Sequence, residues 1–383
     1  MSRLWGVDAA RGIALLGMMT VHVLPTSDPA TGEATWAGML FAGRSAALFA
    51  VLAGVGLALM VGSGGRTGWY RRVISVRAVL IILIGLGCAM LGAGVAIILV
   101  HYGLMFLLAL PFLRLGARAL MLVAAGWLAA APPLYWWLQN QLRPSPVEPP
   151  DRLWHSPGFA DLTQPGLLGL DLVVTGYYPL LLWPAYLFVG MAVGRLDLRS
   201  TTTQLLLVLF GTAGAAITYA VGSLVQAHSG LTERLLPYAG DPTALAGSLE
   251  TGDHFLPLIS DPLWFLIPMP HQGTTMDLLH TASCAVAVLG LCLILSRWAG
   301  LALAPLAGAG AMPLSLYVGH LLVLGPLWRM PGAPFAQTQE HTMILLLVAG
   351  ALVAGAVKIR LRRRGPLEAF THFCSTSLAG ERR

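Results

Sequence analysis

Long apolar stretches follow one another along almost the whole chain, and they constrain its fold more than any other feature. Only 10% of the 383 residues are charged, whereas a soluble domain carries about 25%. Stretches long enough to cross a bilayer as helices fall at residues 5–25, 37–62, 74–93, 95–113, 118–138, 171–194, 204–224, 274–296, 305–328 and 342–360. The sequence therefore predicts an all-α, polytopic membrane protein with about ten transmembrane helices.

The distribution of basic residues predicts how these helices are oriented. The N-terminus is placed in the cytoplasm, and the spans then alternate in direction. Of the 23 lysine and arginine residues, Arg44 lies within a span and only four face outward, while the others face the cytoplasm. The four are Arg143, Arg152, Arg234 and Arg329. This asymmetry predicts cytoplasmic termini in an inner or plasma membrane. It also accounts for the net charge of +6, so no nucleic-acid partner is implied. Residues 1–365 are expected to form the membrane domain and 366–383 a cytoplasmic tail. The long outer segment 225–273 has room for additional short helices.

Ionisable side chains within the first apolar stretch indicate a function. Arg11 and His22 are separated by about 16 Å along a helix, which is about half the thickness of the hydrocarbon layer. A cation at the inner end and an imidazole in the outer half suggest chemistry that passes across the membrane. For Arg11, a structural alternative is an ion pair with Asp8, three residues earlier on the same face.

Two later stretches carry candidate bases. Asp277 and His280 stand three residues apart, a spacing that would let the carboxylate orient the imidazole. The alternative is structural: Asp277 would be an acidic residue at the start of the helix, and His280 would be a histidine at the membrane interface. His320 and Tyr317 share a face of a helix that Pro313 interrupts, and such interruptions are tolerated where the backbone lines a cavity.

Two other polar residues are candidates for binding a substrate. Arg44 lies inside the second span, where it would recognise an anionic group or balance a buried carboxylate. His101 lies at the start of the fourth span. The alternative to substrate binding is a structural role for His101 among the polar and aromatic residues at the membrane interface. No two of the four membrane histidines, His22, His101, His280 and His320, have ligand spacing on one helix. No metal site is therefore expected.

Several segments resemble a bacterial membrane family of unknown function that is related to YeiB and to heparan-alpha-glucosaminide N-acetyltransferase, within the transmembrane acyltransferases. They are Arg11-Gly-Ile-Ala-Leu-Leu-Gly17, residues 43–54, Tyr102-Gly103-Leu104 and Pro313-Leu-Ser-Leu-Tyr-Val-Gly-His320. The resemblance implies that Arg11 lies near the coenzyme A end of the donor. It also implies that His22 acts in transfer and that His320 lies at the acetyl group. The chain differs from heparan-alpha-glucosaminide N-acetyltransferase, a lysosomal enzyme, at His22, where that enzyme carries Asn.

Together, these features suggest an acyl-CoA-dependent transferase. An acyl group, with acetyl expected, would move from cytoplasmic acyl-CoA to an extracytoplasmic sugar, glycan or lipid-linked acceptor. Guanidinium groups bind phosphates in a bidentate manner, so the donor phosphates are assigned to Arg11, Arg71, Arg72 and Arg77. His320 or His22 would be the base, and Arg44 or Tyr317 would stabilise the oxyanion.

Two other classes remain open at this stage. One is a transporter or lipid-handling protein with a histidine proton relay. The other is a binding or scaffold protein whose histidines are structural. Contact with membrane lipid is expected in every case, and a homodimer is compatible with the sequence.

Overall fold

The computed structural model describes residues 4–62, 67–145, 148–239, 241–252 and 261–380. Within these residues it is all-helical apart from a single β-bridge between Ser27 and Ala34, which confirms the predicted fold class. Four basic residues used for the predicted orientation, Arg3, Arg66, Arg382 and Arg383, lie outside the described residues, as do residues 253–260 of the long outer segment.

The α-helices are labelled in chain order. They are Trp5–Val23 (α1), Trp36–Phe41 (α2), Arg44–Val61 (α3), Thr67–Cys88 (α4), Leu99–Ala109 (α5), Ala117–Leu142 (α6), Pro165–Leu170 (α7), Pro184–Gly194 (α8), Thr201–His228 (α9), Leu231–Ala239 (α10), Pro242–Thr251 (α11), Thr275–Trp298 (α12), Ala304–Gly310 (α13), Pro313–Leu322 (α14), Glu340–Leu361 (α15) and Pro366–Leu378 (α16). Helix α14 continues as a π-helix over Val323–Arg329.

The predicted number of ten spans is not confirmed. Six helical segments in the described part of the chain are long and apolar enough to cross a membrane, and a bent pair would be a seventh. The predicted span 171–194 is divided between the short apolar helices Pro165–Thr175 and Pro184–Gly194. Pro179 and Pro184 fall in and just after the gap, and proline disrupts a continuing helix. The segment Leu99–Phe112 is also short.

Helix α1 lies at the centre of the bundle. It packs against α3, α12, α13 and α15, and its end reaches α2 and α14. Most of its side chains are buried, including Asp8. A helix surrounded by other helices does not need a fully apolar surface, so α1 can carry three ionisable side chains, Asp8, Arg11 and His22, within the bundle.

The predicted ninth span is sharply bent. Helices α13 and α14 meet at 81°. Gly310 lies directly against the backbone carbonyl of Asp8, where a Cβ would collide. The bend therefore places the start of α14 beside α1, inside the bundle, and directs Tyr317 and His320 toward the end of α1.

The residues predicted to be a tail contain helix α16, which packs against α4 and α14. It lies near the end of the bundle that carries Arg77 and residues 358–364, and this end is called the arginine-rich end below.

Candidate active site

Two histidines from distant parts of the chain meet inside the bundle. The Nδ1 atom of His22, in the last turn of α1, is 3.1 Å from the Nε2 atom of His320 in α14. Their rings are nearly parallel, with centroids 5.3 Å apart, and Tyr317 packs edge-on against His320 at 4.9 Å. One ring must donate and the other accept, so the pair shares a proton in a hydrogen bond.

The position of His22 is fixed by an arginine that follows His320 in the chain. Arg329 donates from Nη2 to the carbonyl oxygen of His22 and from Nη1 to that of Ala93, both at 2.5 Å. A cation at this place also satisfies carbonyl groups at the C-terminal end of α1. Sequence reasoning counted Arg329 only as an outward-facing charge and missed this role.

A cavity of about 730 Å³ opens on the His22 side of the pair and is called the histidine cavity. Polar and aromatic side chains line much of it, among them His22, Arg152, Tyr177, His271 and Arg329. The ring of His271 accepts a hydrogen bond from the Gly43 backbone N–H at 3.1 Å. This cavity has room for a polar ligand next to His22.

A second cavity, of about 270 Å³, lies on the Tyr317 side of the pair and is called the inner cavity. Its lining is mostly apolar, with Phe49, Tyr102 and Tyr317 among the aromatic residues, and it also includes Arg11 and Arg77. His22 borders the histidine cavity and Tyr317 borders the inner cavity, while His320 contacts both residues. The imidazole pair therefore forms part of the wall between the two cavities.

Arg11 is held at the inner cavity by contacts from two helices. Its Nη1 atom is 3.0 Å from Asp8 Oδ1, and its Nη2 atom donates to the Leu52 carbonyl oxygen at 3.4 Å. Gly56 lies beside the guanidinium, since a Cβ there would be 2.7 Å from Nη2. The ion pair weighed for Arg11 is thus present, and the same guanidinium still lines the cavity.

A third cavity, of about 850 Å³, adjoins the inner cavity at the arginine-rich end and is called the basic cavity. Arg77 and Glu368 line both. Its lining also includes cations from the end of α15 and the segment after it: Lys358, Arg360, Arg362, Arg363 and Arg364. These basic residues cluster in the sequence, and that cluster was used above only to predict which side of the membrane the segment faces. It could also have indicated an anion-binding site.

The four arginines predicted to bind the donor are placed differently. Arg11 and Arg77 line cavities. Arg71 and Arg72 are exposed on α4, and neither lines the inner or the basic cavity. Arg71 donates to the Leu110 carbonyl oxygen at 3.2 Å.

The structure gives Asp277 and His280 separate partners instead of a dyad. Asp277 accepts from the Gly273 backbone N–H at 3.2 Å. His280 accepts at Nε2 from Arg44, at 3.2 Å, and its Nδ1 lies 3.1 Å from the Ala215 carbonyl oxygen. The His280 ring thus links α3, α12 and α9, and it binds the Nη2 atom of Arg44.

His101 does not join the imidazole pair. It is buried in α5 and packs edge-on against Tyr178, with ring centroids 5.7 Å apart. It is absent from the linings of the histidine and inner cavities. In the described residues, no group of three or more His, Cys, Asp or Glu side chains is placed to hold a metal ion.

Comparison with known proteins agrees with the membrane fold and adds an activity. The model of the family described as "Heparan-alpha-glucosaminide N-acetyltransferase, catalytic" matches residues 3–223, which is more than half of the chain. The match includes Arg11 and His22 and ends before His320. No curated protein matches the chain. The chain belongs to the heparan-alpha-glucosaminide N-acetyltransferase family, and its activity is that of a membrane acetyltransferase.

Proposed function

We propose that this protein moves an acetyl group from acetyl-CoA, bound from the arginine-rich end, to an amine or hydroxyl group bound in the histidine cavity. The observation that carries the proposal is the His22–His320 hydrogen bond of 3.1 Å in the wall between two cavities. A transferase that joins substrates from two sides of a membrane needs a proton-accepting group at such a wall.

The donor fits the two connected cavities at the arginine-rich end. Coenzyme A has phosphates at its nucleotide end and a slender pantetheine arm that ends in the thioester. The basic cavity offers guanidinium groups, which suit phosphates, and the positive-inside rule assigns this end to the cytoplasm. The narrower, mostly apolar inner cavity suits the arm and leads to Tyr317 beside His320.

The imidazole pair can carry the proton that the reaction releases. In the productive tautomer, His22 Nδ1–H donates to His320 Nε2, and His22 Nε2 accepts the proton of the acceptor group. The freed nucleophile attacks the thioester carbonyl, a new ester or amide bond forms, and the carbon–sulfur bond breaks. His22 passes its Nδ1 proton to His320 Nε2, and His320 releases the proton of its own Nδ1 atom to the departing thiolate. The proton taken from the acceptor group is thus matched by the one given to the thiolate, and the two rings return to their starting tautomers by exchanging protons with water before the next turnover.

The acceptor class is inferred from the histidine cavity and from the family description. That description names a glucosaminide for the family's own enzyme. In this chain, the exposed rings of Trp154 and Tyr177 border the cavity and stack around the Arg152 guanidinium at 4.7 Å. Aromatic faces beside a cation suit a sugar-bearing, polar acceptor such as a glycan or a lipid-linked sugar.

Binding of acetyl-CoA to the purified full-length protein, measured by calorimetry, tests the donor. Arg77→Ala is expected to weaken binding by at least about tenfold, because one charged hydrogen bond contributes about 1.5–3 kcal/mol. The matched control is Arg118→Ala, an exposed arginine at the start of α6, which should bind as the wild type does. If the wild type binds no acyl-CoA, the proposal is wrong, and the transporter alternative gains support.

A further inference from the structure

The helix that carries Tyr317 and His320 begins without a cap of its own. Helix α14 starts at Pro313, directly after the 81° bend, and Met312 at its N-cap position provides no side-chain hydrogen bond. The first backbone N–H groups of a helix have no partner within the helix. Inside a membrane bundle, such groups need another acceptor.

That acceptor comes from α16, more than fifty residues later in the chain. Glu368 Oε1 accepts from the backbone N–H groups of Leu314, at 2.7 Å, and Ser315, at 3.1 Å. Its Oε2 accepts from the Ser315 hydroxyl at 2.5 Å. The same hydroxyl accepts from the Leu367 backbone N–H at 3.0 Å. Glu368 and Ser315 thus join the two helices by four hydrogen bonds.

Glu368 also lies where the inner and basic cavities meet. It lines both cavities together with Arg77. Its carboxylate is packed closely, since a Cβ on Gly365 would collide with Oε2. The side chain that caps α14 is therefore held at the passage assigned above to the donor.

We propose that Glu368 is a positioning residue that sets the register of α14, and that α16 thereby couples the donor passage to the imidazole pair. The coupling rests on the proposed function, whereas the cap itself does not. His320 follows Ser315 by five residues on one rigid helix, so a small slide or rotation at the cap moves its ring. A hydrogen bond of 3.1 Å tolerates little such movement.

Two measurements on the full-length protein in detergent test the proposal. In hydrogen–deuterium exchange, Glu368→Ala should raise the exchange of segment 313–320 by about tenfold, as the loss of a charged cap implies. In acetyl transfer from acetyl-CoA to glucosamine, the same variant should lower kcat at least about tenfold while KM for acetyl-CoA changes much less. A purely structural loss would instead reduce the amount of folded protein and leave kcat per folded molecule unchanged.

Conservative and control variants complete the design. Glu368→Gln keeps one carbonyl oxygen for the two backbone N–H groups and should recover part of the exchange protection and part of kcat. Asp197→Asn, an exposed carboxylate next to Arg199, should match the wild type in both assays. Unchanged exchange in Glu368→Ala would overturn the cap, and raised exchange with unchanged kcat would overturn the positioning role. If the wild type transfers no acetyl group, the proposed function and the coupling are wrong. The hydrogen–deuterium exchange of segment 313–320 still tests whether Glu368 caps α14.

Discussion

Removing either imidazole of the His22–His320 pair should stop the same proton path. The two rings share one hydrogen bond of 3.1 Å, and the relay requires both to bind and release a proton in sequence. Two single variants, His22→Ala and His320→Ala, and the double variant therefore form a direct test of the relay.

General acid–base catalysis contributes about 10²- to 10⁴-fold to the rate. Each single variant is therefore expected to lower kcat by at least about a hundredfold. Residues that act as one unit have non-additive effects, so the double variant should be no slower than the slower single variant. Acetyl-CoA affinity should stay unchanged, because neither ring lines the inner or the basic cavity.

The assay uses proteoliposomes with acetyl-CoA on the arginine-rich side and glucosamine on the other, and it measures the free thiol of released coenzyme A. His341→Ala, an exposed histidine at the start of α15, is the matched control and should retain full activity. The relay would be refuted if the losses of the single variants multiplied in the double variant, or if His22→Ala kept wild-type kcat.

Three further predictions concern the surroundings of the pair. His372, in α16, also lines the basic cavity, and burial together with the nearby Arg364 and Arg77 lowers its pKa from the ordinary value of 6.5. His372 is thus neutral at pH 7 and gains a positive charge as the pH falls, so acetyl-CoA should bind more tightly at lower pH in calorimetry. His372→Gln should lose this increase in affinity. Arg329→Ala removes the hydrogen bonds to the His22 and Ala93 carbonyl groups, so it should lower kcat without changing the affinity for acetyl-CoA. The control variant Arg234→Ala should change neither quantity. Equal effects of the two variants on kcat would contradict the prediction. Gly310→Ala forces α13 away from the α1 backbone and should destabilise the protein by about 1–3 kcal/mol in detergent melts, whereas the open position Gly126 should accept Ala without loss.

Sequence alone predicted the helical class and most of the helix positions. Apolar stretches identify themselves because a bilayer requires about 20 apolar residues in succession. Apolar composition does not show where a helix is interrupted. The stretch 171–194 was therefore predicted as one span, although prolines such as Pro179 and Pro184 divide it into two short helices. The count of ten spans is therefore not confirmed by the helices in the described residues.

The candidate histidines were also visible in the sequence, because an imidazole within an apolar stretch is costly and stands out. Their pairing was not, since His22 and His320 are 298 positions apart and the 81° bend brings them together. The i, i+3 spacing of Asp277 and His280 suggested a dyad, but that spacing does not show which neighbours compete for each side chain. Arg44 and Ala215 bond to the His280 ring instead.

What the sequence determined by itself was local: which segments are helical, which side chains are out of place in them, and where the basic residues cluster. Only the tertiary structure decided that Lys358 and the arginines after it enclose a cavity with Arg77, and that Glu368 caps the helix of His320. Cavities and caps of this kind depend on contacts between helices far apart in the chain. Helix packing and the bend between α13 and α14 set those contacts, and no spacing within one segment encodes them.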